Sequence, residues 1–439
     1  MTQLLYLIAL LLPCLLFSNP KDIFYSLSHP YLSPVRSVDR LELLFCGKKA
    51  HETIRQLLGW ETETSFTLDD DVSTIDLFSL EYHQGKVEKA LTPILKAQAK
   101  AGKKVRIAIS KPSISNISKR DDQILRSIAS AGAKLEYFQN NSSNLVENVN
   151  MINHAKVLLI QKQFNKDLQL AKQGTLVVGG RNLGDNFYFE KWDSKLPNLI
   201  CYQDVELIVS SPYLASDAYQ LLNAFWEREE NIMKAPIFIS EENGIGDPAD
   251  PFTVNGHEKA RFFMSYPFAG KQATSFMEVI LPLIESAKSS IVLFSPYHAP
   301  TDAFTKAIAR ALERGVQVTI VSNQTMDLSN KPSDNMVYQY FLNIYQNLPL
   351  NLYVWSDDAS FMHAKMATFD DEVSYVGGAN FNYRSAYQDI ESGCLILSKT
   401  LNEEIKEILQ SITPKLKPFE FIPISAFDKA KIGVLRPFY

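Results

Sequence analysis

The chain opens on an apolar run, Leu4 to Phe17, interrupted by Pro13, and then settles into short apolar runs that alternate with amphipathic stretches. Two of these stretches read almost alike. Ser73-Thr74-Ile75-Asp76-Leu77-Phe78-Ser79 precedes Tyr82-His83, and Ser289-Ser290-Ile291-Val292-Leu293-Phe294-Ser295 precedes Tyr297-His298. After each comes a helical periodicity, over 87–101 and 303–313, closed by Gly102 or Gly315. A run rich in β-branched residues follows, Val105 to Ile109 or Val316 to Val321. A helix stopped by glycine and succeeded by such a run predicts a strand-helix-strand unit of a parallel sheet.

The recurrence continues downstream in the same order. His154-Ala155-Lys156 is matched by His363-Ala364-Lys365, and Val178-Gly179-Gly180-Arg181-Asn182 by Val376-Gly377-Gly378-Ala379-Asn380. A duplication of this length fixes the architecture as two similar α/β halves. The histidines lie 209 positions apart and the asparagines 198, so the first copy holds 11 additional residues between them. The polar stretch Gln161 to Gly174 accounts for them and reads as a lengthened hairpin loop. Gly244, Gly246, Pro248 and Pro251 mark a linker over 236–257, which places the repeats at 38–235 and 258–425. The N-terminal 1–22 segment carries an apolar run shorter than the ~20 residues a spanning helix needs. It is expected to act as a signal peptide or membrane anchor, making the protein exported or membrane-associated.

Each His-x-Lys opens an apolar strand, Val157 to Ile160 or Met366 to Phe369. Residues two apart on a strand face the same way, so His154 with Lys156, and His363 with Lys365, point together. The next strand delivers Gly-Gly-x-Asn, where the glycines permit close backbone approach and Asn182 or Asn380 brings an amide donor. Imidazole, ammonium and amide on one small surface suit a phosphoryl group. Two such sets facing each other let one histidine attack phosphorus while the other protonates the departing oxygen. The lysines bring the charges that a phosphoryl group needs, and no acidic cluster has metal-ligand spacing, so no metal or other cofactor is expected.

Composition narrows the substrate. Lys plus Arg total 44 against 49 Asp plus Glu, a formal charge of -5, so no global basic field draws polyanions and nucleic acid is a weak candidate. The four cysteines, Cys14, Cys46, Cys201 and Cys394, lie far apart, which indicates neither a zinc site nor a disulfide framework.

The paired blocks resemble the HxK(x)4D and G[GS]xN motifs of the phospholipase D superfamily, in its two-motif, single-chain form, over roughly residues 40 to 425. The bacterial cardiolipin synthase branch is the most similar. Its GGxNxGD segment is resembled by Gly179 to Asp185, its later aspartate by Asp204 in Tyr202-Gln203-Asp204-Val205, and its F-x-x-x-W stretch by Phe225-Trp226. The second half carries Ser295-Pro296-Tyr297, Arg384-Ser385 and Glu391.

The resemblance implies two α/β repeats related by a pseudo-twofold, with sheets packed around one shared site and no metal. It also implies a covalent phosphohistidine, with His154 as nucleophile and His363 as general acid. Asp204 and Glu391 are nominated to orient the histidines, and Asp370 to support local structure. The first copy departs from the motif, having Gln161 at that third position.

The function these features imply is phosphodiester transfer or hydrolysis on a phospholipid at a membrane surface, with no obligate protein partner. The alternatives are a nuclease of the same chemistry and an impaired, phosphate-binding relative. His83 and His298, at matched strand ends, and Tyr188, Phe189, Tyr383 and Tyr387, after the asparagines, are further candidates for substrate contact or packing.

Overall fold

The computed structural model describes residues 19–59, 66–110, 118–139, 151–189, 201–229, 233–238, 258–270, 273, 275–325, 338–357, 359–421 and 425. The apolar run with Cys14, and 239–257 of the linker, lie outside the described residues. Among the described residues no helix is long and apolar enough to cross a membrane. Residues 20–22 form the first turn of a helix, Pro20–Ser26, closed by a capping box between Asn19 and Asp22. Its Phe24 packs among the second repeat's apolar residues.

Two mixed sheets carry the fold. In the seven-stranded sheet the spatial order is Arg40–Leu44, Glu206–Ser210, Leu170–Gly179, Val157–Asn165, Val72–Ser79, Lys104–Ser110 and Lys134–Phe138. In the nine-stranded sheet it is Arg36–Ser37, Lys259–Ser265, Glu391–Leu397, Val373–Gly377, Met366–Phe369, Ser290–Phe294, Gln317–Asn323, Asn351–Trp355 and Leu416–Pro418. Once the two edge strands of the larger sheet are set aside, seven strands correspond one to one in the same order. The duplication read from the motifs is thus a duplication of whole sheets.

The expected parallel sheet is present only in part. Val72–Ser79, Lys104–Ser110 and Lys134–Phe138 run parallel, as do their three counterparts. The strands that follow each His-x-Lys are antiparallel to both neighbours, and a hairpin links each to the next strand, which leads into the asparagine motif. Gly102 and Gly315 do stop the crossover helices Lys86–Lys100 and Asp302–Glu313, at φ 78° and 85°, a conformation that costs other residues dearly.

The sheets pack face to face. Val157, Leu159, Val178 and Leu207 from one share a buried core with Phe262, Met366, Val376 and Ile396 from the other. Helix Pro212–Trp226 lies in that same core, with Phe225 5.1 Å from Phe78. Helices cover both outer faces, so the central strands are buried on both sides and read as continuous apolar runs.

The 11 extra residues lengthen strands rather than a loop. Pairing in the first hairpin runs on to Asn165 opposite Leu170, and Gln161 sits buried opposite Gly174. In the second repeat the hairpin turns at once, through Asp370 and Asp371 at φ 55° and 56°. The Asp370 carboxylate there accepts the main-chain N–H groups of Lys288 and Ser289, each at 2.7 Å, and of Ser290 at 3.0 Å. In the first repeat the ladder itself reaches the start of the matching strand, with Gln163 donating to the Asp71 carbonyl at 2.8 Å. A strand has taken over the task of the carboxylate, which explains how Gln161 replaces it.

Candidate active site

Each His-x-Lys stands at the head of a central strand and faces the opposite repeat. The His363 N–H donates to the Gln203 carbonyl at 2.7 Å, in line with a short parallel pair between Ser360–Met362 and Cys201–Gln203. The His154 N–H donates to the Ile390 carbonyl at 2.9 Å beside a single bridge between Asn153 and Ile390. In both cases the accepting residue immediately precedes a carboxylate. That backbone contact therefore aims Asp204 at His363 and Glu391 at His154, so each histidine is completed by the other repeat.

The side-chain geometry follows this crossing. His154 Nδ1 lies 2.9 Å from Glu391 Oε1, and His363 Nδ1 lies 2.5 Å from Asp204 Oδ2. A carboxylate on Nδ1 holds the proton there, which leaves Nε2 unprotonated; at His363 that nitrogen has Lys365 Nζ 3.1 Å away. Lys156 Nζ donates to the His154 carbonyl, and Lys365 Nζ to the His363 carbonyl, each at 2.6 Å. Asn182 and Asn380 are buried, and among the described residues each keeps an Oδ1 without a hydrogen-bond partner. The sequence-nominated His, Lys and Asn residues, with Asp204 and Glu391, converge on one place. Asp370 stands apart, at the hairpin turn.

The glycines are explained by the same carboxylates. A Cβ on Gly180 would lie 2.2 Å from Asp204 Oδ1, and one on Gly378 would lie 3.1 Å from Glu391 Oε2 and from the His154 carbonyl. Gly179 and Gly377 meet backbone of the neighbouring strand even more closely than Gly378 does, at 2.2 Å and 2.5 Å. Two adjacent residues without side chains let the asparagine loop pass directly over the carboxylate.

Burial and charge set the protonation. Burial drives both imidazoles well down, with the neighbouring lysines adding to it, so both are neutral in the absence of an anion. Burial also lowers Lys156 to about 8 and Lys365 to about 7. The carboxylates diverge. Burial pushes Glu391 up to about 7, against the pull of Lys156 and the Ser385 hydroxyl, which donates to it at 2.6 Å. Burial raises Asp204 too, but His363 and Lys365 outweigh it and hold its carboxyl below the usual range.

The surroundings differ as well. Tyr202, Phe187 and Tyr297 place ring centroids 5.1, 5.3 and 5.9 Å from that of His363. Around His154 stand Arg384 and Asp389, themselves 3.1 Å apart. Arg181, in the first repeat's asparagine motif, donates to the main-chain carbonyls of Asp204 and Phe187, whereas Ala379 fills the matching position.

Other nominated residues have structural places. His298 is buried with Nε2 2.7 Å from the Tyr345 hydroxyl, and Tyr188 bonds Glu206 at 2.9 Å. Phe189 packs on His51, and Tyr383 on Tyr387. Motif matching missed Phe187 because its neighbours Tyr188 and Phe189 are equally aromatic and only folding selects among them.

Comparison with known proteins agrees with this geometry. Residues 280–413 match the family described as cardiolipin synthase, PLD-like domain. Cardiolipin synthase 1 of Staphylococcus aureus is 24% identical over 82% of this chain and 70% of its own length. Cardiolipin synthase 2 of Staphylococcus epidermidis is 25% identical over 91% of this chain and 77% of its own. Among solved structures, phosphatidylserine synthase of Haemophilus influenzae superposes with a TM-score of 0.64 at 13% identity, covering 95% of this chain and 97% of its own. Doubled sheets and crossed histidine-carboxylate pairs thus occur in a chain whose residues 280–413 match the cardiolipin synthase, PLD-like domain family and which is similar over most of its length to cardiolipin synthases.

Proposed function

We propose that the protein is a phospholipid phosphatidyltransferase that works through a phosphohistidine. The observation that carries this reading is the pair of crossed contacts, His154 with Glu391 and His363 with Asp204, which engage Nδ1 of each ring and reserve the two Nε2 atoms for one phosphoryl group. The cardiolipin synthases and the phosphatidylserine synthase named above support a lipid phosphodiester as the substrate.

The unequal carboxylates assign the roles. Asp204, held anionic, balances the proton that His363 takes up once a phosphodiester anion enters the site, while Glu391, at about 7, favours a neutral ring at His154. His154 Nε2 attacks phosphorus and the bond to the departing alcohol breaks, its oxygen taking the proton from His363 Nε2. An incoming alcohol then returns a proton to His363 as its oxygen attacks phosphorus and the phosphorus-nitrogen bond breaks. Lys156, Lys365, Asn182 and Asn380 hold the non-bridging oxygens.

The substrate places the enzyme at a lipid surface, and the apolar run from Leu4 to Phe17 is proposed to keep it there. Deleting residues 1–18 should shift the protein from the membrane fraction to the soluble one with turnover retained. A full-length chain found in the soluble fraction contradicts the anchor.

Incubation with phosphatidylglycerol, phosphatidylcholine and single-stranded DNA in EDTA tests the activity. Transfer or hydrolysis of a phosphatidyl group is expected. Cleavage of DNA alone, or dependence on one added cation, contradicts the reading.

A further inference from the structure

One carboxylate beside the site belongs to no duplicated motif. Glu81 follows the strand Val72–Ser79, and its Oε2 lies 3.4 Å from Asn182 Nδ2 and 3.3 Å from His83 Nε2. The second His83 nitrogen, Nδ1, lies 3.4 Å from Asp121 Oδ2. Asp121 is itself fixed: its Oδ1 accepts the Gln84 N–H at 2.7 Å, and Ser118 Oγ donates to its Oδ2 at 2.7 Å. His83 thus stands between two acids, and the bond to Glu81 leads in raising its pKa. Asp121 is buried at 3% exposure, whereas Glu81 at 19% and His83 at 29% reach the solvent side. Glu81 Oε1 has no hydrogen bond among the described residues, so the open end of this chain is a carboxylate oxygen.

An independent feature points to a ligand here. Asn182 is 4% exposed, and its Oδ1 has no partner among the described residues. Glu81 also contributes to the charge around Lys156. A carboxylate so placed repels a phosphodiester anion, so phosphate binding does not account for it. It suits the hydroxyl hydrogens that the phosphate's alcohol carries, which it would accept as charge-assisted hydrogen bonds. The second repeat has Tyr297 after its matching strand, so the feature belongs to one repeat only.

We propose that Glu81 is a specificity residue that binds the free hydroxyls of a polyol, as entering or departing alcohol, with His83 and Asp121 as positioning residues. This rests on the alcohol-exchange reading above. The test follows partition of the phosphoenzyme between isotopically labelled glycerol and n-propanol, with bis(p-nitrophenyl) phosphate as one donor and phosphatidylglycerol vesicles as the other. Glu81→Gln, of nearly equal size, should lower the glycerol-to-propanol product ratio by about 10-fold or more, the effect of losing a hydrogen bond to a charged group. Glu81→Asp should recover part of that ratio, and His83→Ala should raise the KM for glycerol more than it lowers kcat. An unchanged ratio, or equal loss with both alcohols, overturns the proposal. Transfer from the nitrophenyl diester without any from phosphatidylglycerol contradicts the lipid reading alone. No turnover of either donor overturns both.

Discussion

The two halves of the site share a backbone plan and differ in everything around it. His363 sits among Phe187, Tyr202 and Tyr297 and faces an acid held low; His154 sits near Arg384 and Asp389 and faces an acid pushed up to about 7. Gene duplication yields equal halves, whereas attack and leaving-group protonation require unequal ones. Environment, with the motifs kept intact, separates the two roles, as it does wherever titratable pairs are driven apart.

The largest effects should come from the histidines. His154→Ala should abolish turnover of every donor. His363→Ala should cost about 10²–10⁴-fold with an alkoxide leaving group, the range of a lost general acid, but far less with nitrophenolate, which departs without a proton. Single-turnover rates of phosphoenzyme formation with both donors check this, since His363 also serves the later attack of the alcohol, and equal loss of the formation rate from either donor breaks the assignment.

The carboxylates sharpen the same contrast. Asp204→Asn should lower kcat by about 10²–10⁴-fold, because it withdraws the charge that supports a protonated His363. Glu391→Gln should cost less near pH 7, where Glu391 is already partly protonated. A larger loss at Glu391 reverses the order of the halves.

Next comes the glycine pair. Gly180→Ala brings a Cβ to 2.2 Å from the Asp204 carboxylate and must displace it, whereas Gly378→Ala meets nothing nearer than 3.1 Å. Activity should fall steeply in the first variant and mildly in the second, with thermal stability measured alongside to separate catalysis from folding.

A subtler test is the pH profile of kcat/KM. Glu391, raised to about 7, is a neutral acid below that pH and cannot balance the charge His154 gains on bonding phosphorus, so activity rises as pH climbs through 7. Lys365, lowered to about 7, and Lys156, lowered to about 8, lose their charges as pH rises through those values and with them the grip on the phosphoryl oxygens, so the fall sets in close to the same pH and the optimum is narrow. Glu391→Gln should remove the acid limb and leave the alkaline one. An acid limb that survives the substitution belongs to another group.

What the sequence made legible was whatever occurs twice. The strand before His83, the His-x-Lys pairs and the Gly-Gly-x-Asn pairs recur, and the structure sets them on corresponding strands of two like-ordered sheets. The crossing was not legible, because spacing along a strand shows which side chains share a face but not which distant segment they meet. Glu391 lies 237 positions from His154 and Asp204 lies 159 from His363. Glu81 escaped for the opposite reason, since it has no copy. Recurrence did not separate His83 from His298, which matches it in sequence yet is packed against Tyr345. Gln161 looked like a defect only while the extra residues were read as a loop.

The central claim is that two matched histidines do different work because each is set by the other repeat's carboxylate. Trapping the enzyme with labelled donor in acid, then mapping the phosphorylated peptide, tests it most directly. Label is expected on His154 alone, and it should build up in His363→Ala from a nitrophenyl donor, whose departure needs no acid while the second step lacks its base. Label on His363, or an active enzyme that never carries label, contradicts it.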